Sequence, residues 1–492
     1  MTEEIYEKKA GNGCVAELYF EGRMTRRQLE FLTESVKKYK INKTTLNRRG
    51  NVVIWNLRRE ALRDFLADAG EAELVCGSAY VPEKISVGCA PLSGVEEGER
   101  FDVYPYAATA RRRLSGRMPS AGQNSAEARS PEASFSVYFS NVPWLPAEGE
   151  ACDMVFCAAE GGLFDVWAKD PAGNAGTALF QLAGRVEAGR FLSYIKAGLA
   201  VWGQAANADA CRSLFWQTLA AMPDEERQPE KVETPEITKT GNGNFTCGPR
   251  VIKQKQEELY AVRYHPLGGV VNVAFWQKLL RSVEKIEDVE FRLDSRMNLY
   301  VCNLLAEEVS LPMDSMSDGA FTSTEASPVN SFCGLCSGAN CDAQMFEHVL
   351  LKEIKKLGFA DGVLPVFTVA GCREACGDSF DADLRFLAET RRTEENGDAE
   401  TAESKEAVKA GRPGSRLWFT VESREQPSRD WRPVGQIPQQ KLTEYLIALG
   451  ALPQSAGLSF QEWKTANPGL LEKVTALYAA HPTISTQKGE NK

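Results

Sequence analysis

The chain has 492 residues, 43% of them hydrophobic and 25% charged, with 40 Gly, 23 Pro and 13 Cys; this composition is typical of a globular protein of several domains and excludes collagen-like, coiled-coil and wholly disordered chains. The net charge of −10 excludes general affinity for nucleic acid or for an anionic membrane, because both would repel an acidic chain. Residues 1–10 have no apolar core of the kind that a signal peptide needs, and no apolar stretch reaches the roughly 18 residues of a membrane span, so we expect a cytoplasmic protein with reduced cysteines.

The first predicted unit spans residues 1–79. An apolar strand over Cys14–Phe20 runs into a glycine turn, and apolar residues at helical spacing then predict an amphipathic helix. A strand rich in β-branched and aromatic residues follows at Val52–Trp55, and the motif Arg49-x-Asn51 precedes it. The predicted order is therefore strand, turn, helix and strand.

The central segment, residues 80–230, mixes strand and helix patterns and is predicted to be an α/β domain. Its clearest elements are the strands Phe135–Phe139 and Met154–Ala158 and the helices Glu187–Trp202 and Ala208–Ala221. The stretch Pro223–Asn244 is rich in Glu, Lys, Thr and Pro, which is typical of a linker.

An internal repeat relates the next segment, residues 245–312, to the first unit. The motif Arg49-x-Asn51 recurs as Arg296-x-Asn298 at an offset of 247 residues, and further identical residues recur at the same offset. The second copy has the same predicted order of elements as the first. Since neither copy is large enough to bury its own sheet face, we expect the two to pack together as one pseudo-twofold domain.

Five cysteines gather in the last segment, residues 313–492. They are Cys333, Cys336, Cys341, Cys372 and Cys376. A helix is predicted to begin at Cys341, and a strand over Val363–Val369 leads into the last pair, which lies between glycines. Thiolates on short loops at the ends of neighbouring elements are what a [4Fe–4S] cluster requires.

Two other interpretations of the cysteines stay open. Cys333-x-x-Cys336 has the spacing of a zinc site, so a zinc-binding scaffold protein is an alternative to an iron–sulfur protein. The other interpretation is that some of the five are buried apolar residues, as lone cysteines most often are; this is our interpretation of the remaining eight.

These features together resemble the sirohaem-dependent nitrite and sulfite reductases. The resemblance lies in the repeated Arg-x-Asn strand, in the loops Ala90–Gly94 and His265–Gly268, and above all in Gly371-Cys372-Arg-Glu-Ala-Cys376, with Asp383 following. It extends over nearly the whole chain.

The resemblance implies an α+β fold class in three parts. Two ferredoxin-like half-domains, residues 1–79 and 245–312, form one pseudo-twofold domain, and two α/β domains, residues 80–230 and 313–492, bind sirohaem and the iron–sulfur cluster. Within the last domain, the charged and aperiodic run 390–414 is predicted to be a solvated insertion.

The resemblance also implies roles for particular residues. The implied [4Fe–4S] ligands are Cys336, Cys341, Cys372 and Cys376. Cys333 is the alternative to Cys336 as the first ligand. Cys376 would also bridge the cluster to the sirohaem iron. Arg49 matches the substrate-facing arginine of the family, and Lys84, adjacent to the place where the family has a further arginine, is the second candidate catalytic cation. The implied cofactor-binding side chains are Asn51, Arg212, Arg296 and Asn298.

The implied activity is the six-electron reduction of sulfite to sulfide or of nitrite to ammonia. Basic side chains bind the small oxyanion, and a ferredoxin-like donor or a reductase subunit supplies the electrons. Basic runs at Arg26–Arg27 and Arg111–Arg113 are candidate docking points for that donor. The sequence has no Rossmann glycine fingerprint after a strand, so we expect no nicotinamide site.

The chain departs from the family pattern in its central segment. Ile85-Ser86-Val87 stands where the family has an Arg-Asn-Val run, and Ser134 and Ser136 stand where it has a lysine pair. Because lost cations weaken the binding of an anion, a non-catalytic or electron-relaying homologue is the main alternative to an active reductase.

Overall fold

The computed structural model describes residues 13–115, 135–232, 237, 239, 247, 250–316 and 340–479. Within these ranges it leaves out residues 21, 48–49, 79–84, 147–151, 171–178, 203, 267–268, 342, 344–345, 347–348, 351–352, 355, 361, 372–381, 393–414 and 425–430. The chain divides into two compact units, Met1–Glu325 with Pro427–Arg429, and Ala326–Gln426 with Asp430–Lys492. Both units mix helices and sheets, which confirms the predicted α+β class at this level.

The strands, numbered in chain order, are β1 (Cys14–Tyr19), β2 (Arg23–Met24), β3 (Lys43–Leu46), β4 (Val52–Leu57), β5 (Val75–Ser78), β6 (Ile85–Cys89), β7 (Phe135–Ser140), β8 (Met154–Ala159), β9 (Leu163–Lys169), β10 (Leu179–Glu187), β11 (Val251–Lys253), β12 (Tyr260–Tyr264), β13 (Val270–Val271), β14 (Glu290–Leu293), β15 (Leu299–Leu304), β16 (Phe367–Ala370), β17 (Leu384–Arg392), β18 (Ser415–Ser423) and β19 (Arg432–Pro438). The α-helices are α1 (Arg26–Lys38), α2 (Leu62–Glu71), α3 (Tyr104–Ser115), α4 (Phe191–Val201), α5 (Ala208–Ala221), α6 (Asp224–Arg227), α7 (Val273–Ser282), α8 (Ser310–Ser315), α9 (Leu442–Ala456), α10 (Phe460–Ala466) and α11 (Leu470–Ala479). Among the described helices, none has the length and apolar character needed to cross a membrane.

Two sheets of the first unit exchange a short strand. Their strand orders are β13-β3-β4-β1-β5 and β11-β12-β15-β14-β2. The strand β13 belongs to the second repeat in sequence, yet it pairs with β3 of the first, with Val270 opposite Thr45. Reciprocally, β2 of the first repeat pairs with β14 of the second, with Arg23 opposite Arg292. Each repeat therefore adds an edge strand to the sheet of the other.

The offset of 247 residues found in the sequence also relates the elements of the structure. It carries β2 onto β13, α1 onto α7, β3 onto β14 and β4 onto β15. Backbone conformation follows the same rule, since Gly22 and Gly269 have φ of +83° and +70°, and Asn56 and Asn303 have φ of +57° and +64°. The predicted internal repeat is confirmed.

The helices of the two repeats are joined at their ends. Arg26, in the first turn of α1, donates from its guanidinium to the carbonyls of Val283, Glu284 and Ile286, which follow α7. A cation suits this place because the last carbonyls of a helix carry partial negative charge. Arg26, predicted as a docking residue, is thus bonded within the protein.

The central sheet has the order β10-β9-β8-β7-β6. Strands β6, β7 and β8 are parallel, and β9 and β10 continue the sheet antiparallel. Helices α3, α4 and α5 contribute to the core on one face of this sheet, in which Phe139, Phe156, Phe164 and Phe191 are fully buried. This aromatic core fixes the three helices on the sheet.

The second unit is built on the sheet β16-β17-β18-β19. Strands β16 and β17 are parallel neighbours, and the other pairs are antiparallel. The connection 371–383 leaves the carboxyl end of β16 and returns to the start of β17. Helices α9 and α11 are joined by a hydrogen bond between the hydroxyls of Tyr445 and Thr475.

Two predicted boundaries are wrong. The helix expected from Glu187 begins at Phe191, because Glu187 is the last residue of β10 and a 3₁₀ turn, Ala188–Arg190, intervenes. The strand expected from Val363 begins at Phe367. Pro365 interrupts this stretch, since proline has no N–H for the strand ladder.

Two segments predicted as loops contain regular secondary structure at their start. The run 390–414 begins inside β17, which extends to Arg392, and residues 393–414 lie outside the described part. The predicted linker Pro223–Asn244 begins with helix α6, which is bonded to α4 because the Ser193 hydroxyl donates to the carbonyl of Glu226. The start of this segment is therefore part of the packed domain.

We predict that Gly269→Ala disrupts the strand exchange. A Cβ at residue 269 would lie 2.6 Å from the carbonyl oxygen of Leu46, and the φ of Gly269 is +70°. Gly98 is the matched control, since its φ is +83° but no heavy atom lies within 4 Å of a Cβ there. Urea denaturation should show a loss of about 3 kcal/mol or more for Gly269→Ala and about 1 kcal/mol for Gly98→Ala. Equal losses would contradict a steric role for Gly269.

Candidate functional site

Equivalent backbone hydrogen bonds close the turns from β3 to β4 and from β14 to β15, and by sequence each turn carries one copy of the Arg-x-Asn motif. In the second turn the N–H of Met297 donates to the carbonyl of Asp294 at 3.2 Å. In the first, the N–H of Gly50 donates to the carbonyl of Asn47 at 3.1 Å. Met297 and Gly50 both have positive φ, +61° and +68°. Arg296 is therefore the third of four residues in its turn, where its side chain is exposed.

The structure describes only part of the predicted site. The predicted residues outside its description are Arg49, Lys84, Cys333, Cys336, Cys372 and Cys376. Those that it describes are Asn51, Arg212, Arg296, Asn298 and Cys341. By sequence, Arg49 has in the first turn the place that Arg296 has in the second.

A buried carboxylate holds the second turn. Asp294 is 7% exposed, and its Oδ1 accepts the backbone N–H groups of Arg296 at 2.9 Å and Asn298 at 2.8 Å. Its Oδ2 accepts Nδ2 of Asn298 at 2.7 Å and the hydroxyl of Tyr300 at 2.9 Å. Burial raises the pKa of Asp294, and the hydrogen bonds from these donors oppose the rise.

A neutral imidazole extends this network. Since Nδ2 of Asn298 faces Asp294, its Oδ1 is the acceptor toward Nδ1 of His265, at 2.7 Å. Burial lowers the pKa of His265 to about 4; the hydrogen bond to Asn298 opposes this, and the charges of Arg263 and Arg296 add to it. His265 is therefore uncharged at neutral pH, with its proton on Nδ1.

The first turn is held by a carboxylate from a neighbouring strand. Glu17, on β1, is fully buried, and its Oε1 accepts Nδ2 of Asn51 at 2.7 Å and Nδ2 of Asn47 at 2.8 Å. Oδ1 of Asn47 accepts the N–H of Asn51 at 3.1 Å, and Oδ1 of Asn51 accepts the N–H of Phe20 at 3.3 Å. Both ends of the Asn51 amide are thus bonded inside the protein.

Arg212 lies on α5 and contacts the edge strand β10. Its guanidinium donates to the carbonyl of Gln181 at 3.2 Å and pairs with Asp209 at 3.0 Å. It also lies over the ring of Phe180, 5.6 Å from the centroid. None of these partners belongs to the two turns that carry the Arg-x-Asn motif. The contacts of Arg212 therefore attach α5 to the sheet.

Cys341 lies beside the start of the loop that carries two other predicted cluster ligands. The N–H of Asn340 donates to the carbonyl of Gly371 at 2.6 Å, and its Nδ2 donates to the carbonyl of Ala388 at 2.8 Å. Gly371 directly precedes Cys372 in the sequence, and Cys341 is half-buried. Among the described residues, no three His, Cys, Asp or Glu side chains are placed to hold a metal ion; of the predicted ligands, that part of the chain includes only Cys341.

In the central sheet, Ser136 faces a carboxylate. Its N–H and its hydroxyl both donate to Oδ2 of Asp153 at 2.8 Å, and Asp153 is 7% exposed. Ile85 begins the neighbouring strand, opposite Phe135. The position matched to a family lysine therefore carries a negatively charged neighbour in this chain.

The fold is similar to a known one. The solved structure of the Mycobacterium tuberculosis NirA protein superposes with a TM-score of 0.66 at 15% sequence identity, over 94% of this chain and 84% of that one. At this identity the likeness shows the shared fold alone. No protein-family model matches the sequence, and no curated protein does either.

Sequence reasoning missed the residues that hold the turns. Glu17, Asp294 and His265 are not among the site residues predicted from the sequence. The repeat carries a signal for one of them, since Asp294 precedes Asn298 by the same interval as Asn47 precedes Asn51. For Glu17, the alternation of side chains along its strand does not by itself predict a role in holding the turn.

We predict a specific pH dependence from His265. Its pKa is about 4 when folded and 6.5 when unfolded, so the unfolded chain binds more protons between these values and stability falls as pH drops from 6.5 toward 4. Between pH 7 and pH 5, His265→Asn should lose about 2 kcal/mol less of its unfolding free energy than the parent chain, measured by urea denaturation at each pH. Equal losses in the two proteins would contradict the neutral, buried imidazole.

Proposed function

We propose that this protein is a reductase of the sirohaem and [4Fe–4S] type, which reduces sulfite to sulfide or nitrite to ammonia with electrons from a ferredoxin-like donor or a reductase subunit. The observation that carries the proposal is the 2.6 Å hydrogen bond from Asn340 to Gly371. It supports the pairing of an upstream thiol, Cys341, with the loop of Cys372 and Cys376, as a four-iron cluster requires. The likeness to the NirA fold supports the same overall architecture.

In this proposal the repeats, residues 1–79 and 245–312, are the ferredoxin-like halves of one domain. Residues 80–230 and 313–492 form the two α/β domains. The exchange of β2 and β13 supports the first part, because hydrogen bonds of both sheets join the two repeats.

The residues fit an iron–sulfur cluster in their donor chemistry. The thiolates that would hold it are Cys336, Cys341, Cys372 and Cys376, with Cys333 as the rival of Cys336. The loop of the last two follows the carboxyl end of a parallel strand, which is where open α/β sheets bind ligands. Its other end is anchored, since the Asp383 carboxylate accepts the N–H of Val366 at 2.8 Å.

The residues also fit an anionic tetrapyrrole such as sirohaem. Arg296 is exposed on a turn that buried hydrogen bonds hold, and its guanidinium would donate to a carboxylate of the cofactor. Arg49 and Lys84 would bind the oxyanion through their charge. When bound, sirohaem and the cluster would supply the electron path and the iron that takes the anion.

One observation favours a second candidate function, that of a non-catalytic or electron-relaying homologue. The Asp153 carboxylate beside Ser136 replaces positive by negative charge in the segment where the family carries a lysine pair. Negative charge there would weaken the binding of sulfite or nitrite. In that case the cofactors would be present without turnover.

The test is an anaerobic purification of the full chain with sirohaem supply, followed by an absorption spectrum and metal analysis. We expect a Soret band, about five iron and about four acid-labile sulfide per chain. Cys341→Ala should lose the sulfide and the cluster iron. Cys157→Ala is the matched control and should keep them, because Cys157 is fully buried and burial raises its pKa to about 12.

Each outcome selects one function. Cofactors together with reduction of sulfite or nitrite by a one-electron donor would support the reductase. Cofactors without turnover would support the relaying homologue. Zinc in place of iron and sulfide would contradict both and favour the zinc scaffold.

A further inference from the structure

The two asparagines of the Arg-x-Asn motif are bonded inside the protein in the same manner. Asn51 donates its Nδ2 to Glu17, and Asn298 donates its Nδ2 to Asp294, both at 2.7 Å. Their Oδ1 atoms accept from the N–H of Phe20 and from the ring of His265. Both amides therefore serve the turn itself.

The two buried carboxylates come from positions that the repeat does not relate. Asp294 corresponds at the offset of 247 to Asn47, which is neutral. Glu17 pairs across the sheet with Val53, and Tyr300 is the equivalent of Val53 in the second repeat. Tyr300 pairs with Arg263, which is basic where Glu17 is acidic. Both repeats thus place a buried carboxylate on Nδ2 of the motif asparagine, but the two carboxylates come from non-equivalent positions.

A buried carboxylate is costly, so its occurrence in both repeats by separate routes calls for a common role. Asp294 fixes the backbone on both sides of Met297, since its Oδ1 accepts the N–H groups of Arg296 and Asn298. It thereby sets the direction in which the turn presents the exposed Arg296 side chain. Asn in its place would turn an amide N–H toward Nδ2 of Asn298, donor against donor.

We infer that Asp294 is a positioning residue, which acts through Arg296 to bind a carboxylate group of the cofactor; this inference rests on the proposed function. Asn51 and Asn298 are the links between each carboxylate and its turn, rather than direct ligands of the cofactor.

The test is a titration of the full apo chain with sirohaem, followed by absorbance, in four proteins: the parent, Asp294→Asn, Arg296→Ala and the double variant. If Asp294 acts through Arg296, Asp294→Asn raises the Kd about tenfold or more in the parent and by less than about threefold in the Arg296→Ala background. A merely structural role would give the same factor in both backgrounds, which would overturn the inference. No sirohaem binding by the parent would instead overturn the proposed function.

A rescue keeps the test decisive if Asp294→Asn unfolds or loosens the whole domain. Asp294→Asn with Arg263→Glu recreates the arrangement of the first repeat, where Glu17 and Asn47 share the task. Asp294→Asn with Arg263→Gln lacks the carboxylate. We expect the Glu variant to bind sirohaem about fivefold or more tightly than the Gln variant. Simple charge repulsion predicts the reverse order for an anionic ligand, and that order would overturn the inference.

Discussion

The exchange of β2 and β13 between the repeats is the constraint on which the rest of the first unit depends. The exchanged strands pair with β3 and β14, and these are the strands that lead directly into the two Arg-x-Asn turns. A Cβ at Gly50, in the first turn, would lie 3.2 Å from the carbonyl of Leu293, at the end of β14. Each turn therefore follows a strand that pairs on one side with a strand of its own repeat and on the other side with a strand of the other repeat.

Buried charge then sets the fine geometry of the turns. Asp294 accepts hydrogen bonds from backbone, amide and hydroxyl groups, and Oε1 of Glu17 accepts from two amides; these bonds offset the cost of burying each carboxylate. In the second turn the network holds the backbone on both sides of Met297, next to the exposed side chain of Arg296.

The sequence predicted the repeat well, because identical residues at a constant offset of 247 report equivalent backbone positions such as Gly22 and Gly269. It did not predict the strand exchange, since β2 and β13 have two residues each and carry no periodicity. Glu17 and Asp294 were hidden among 67 acidic residues, because burial and hydrogen bonding are tertiary properties. The family pattern pointed to Arg212, whose contacts are with Gln181 and Asp209 on the central domain.

The central claim is that the exchanged strands make the two repeats one cooperative body. Native-state hydrogen exchange of the full chain at low urea concentrations tests it most directly, through the amides of Met24 in β2 and Val271 in β13. The account predicts that these amides and those of β3 and β14 share one opening free energy and one urea dependence, because separation of the two repeats breaks the pairing of both exchanged strands together. Separate openings, with the amides of β13 exchanging at lower free energy than those of β14, would contradict it.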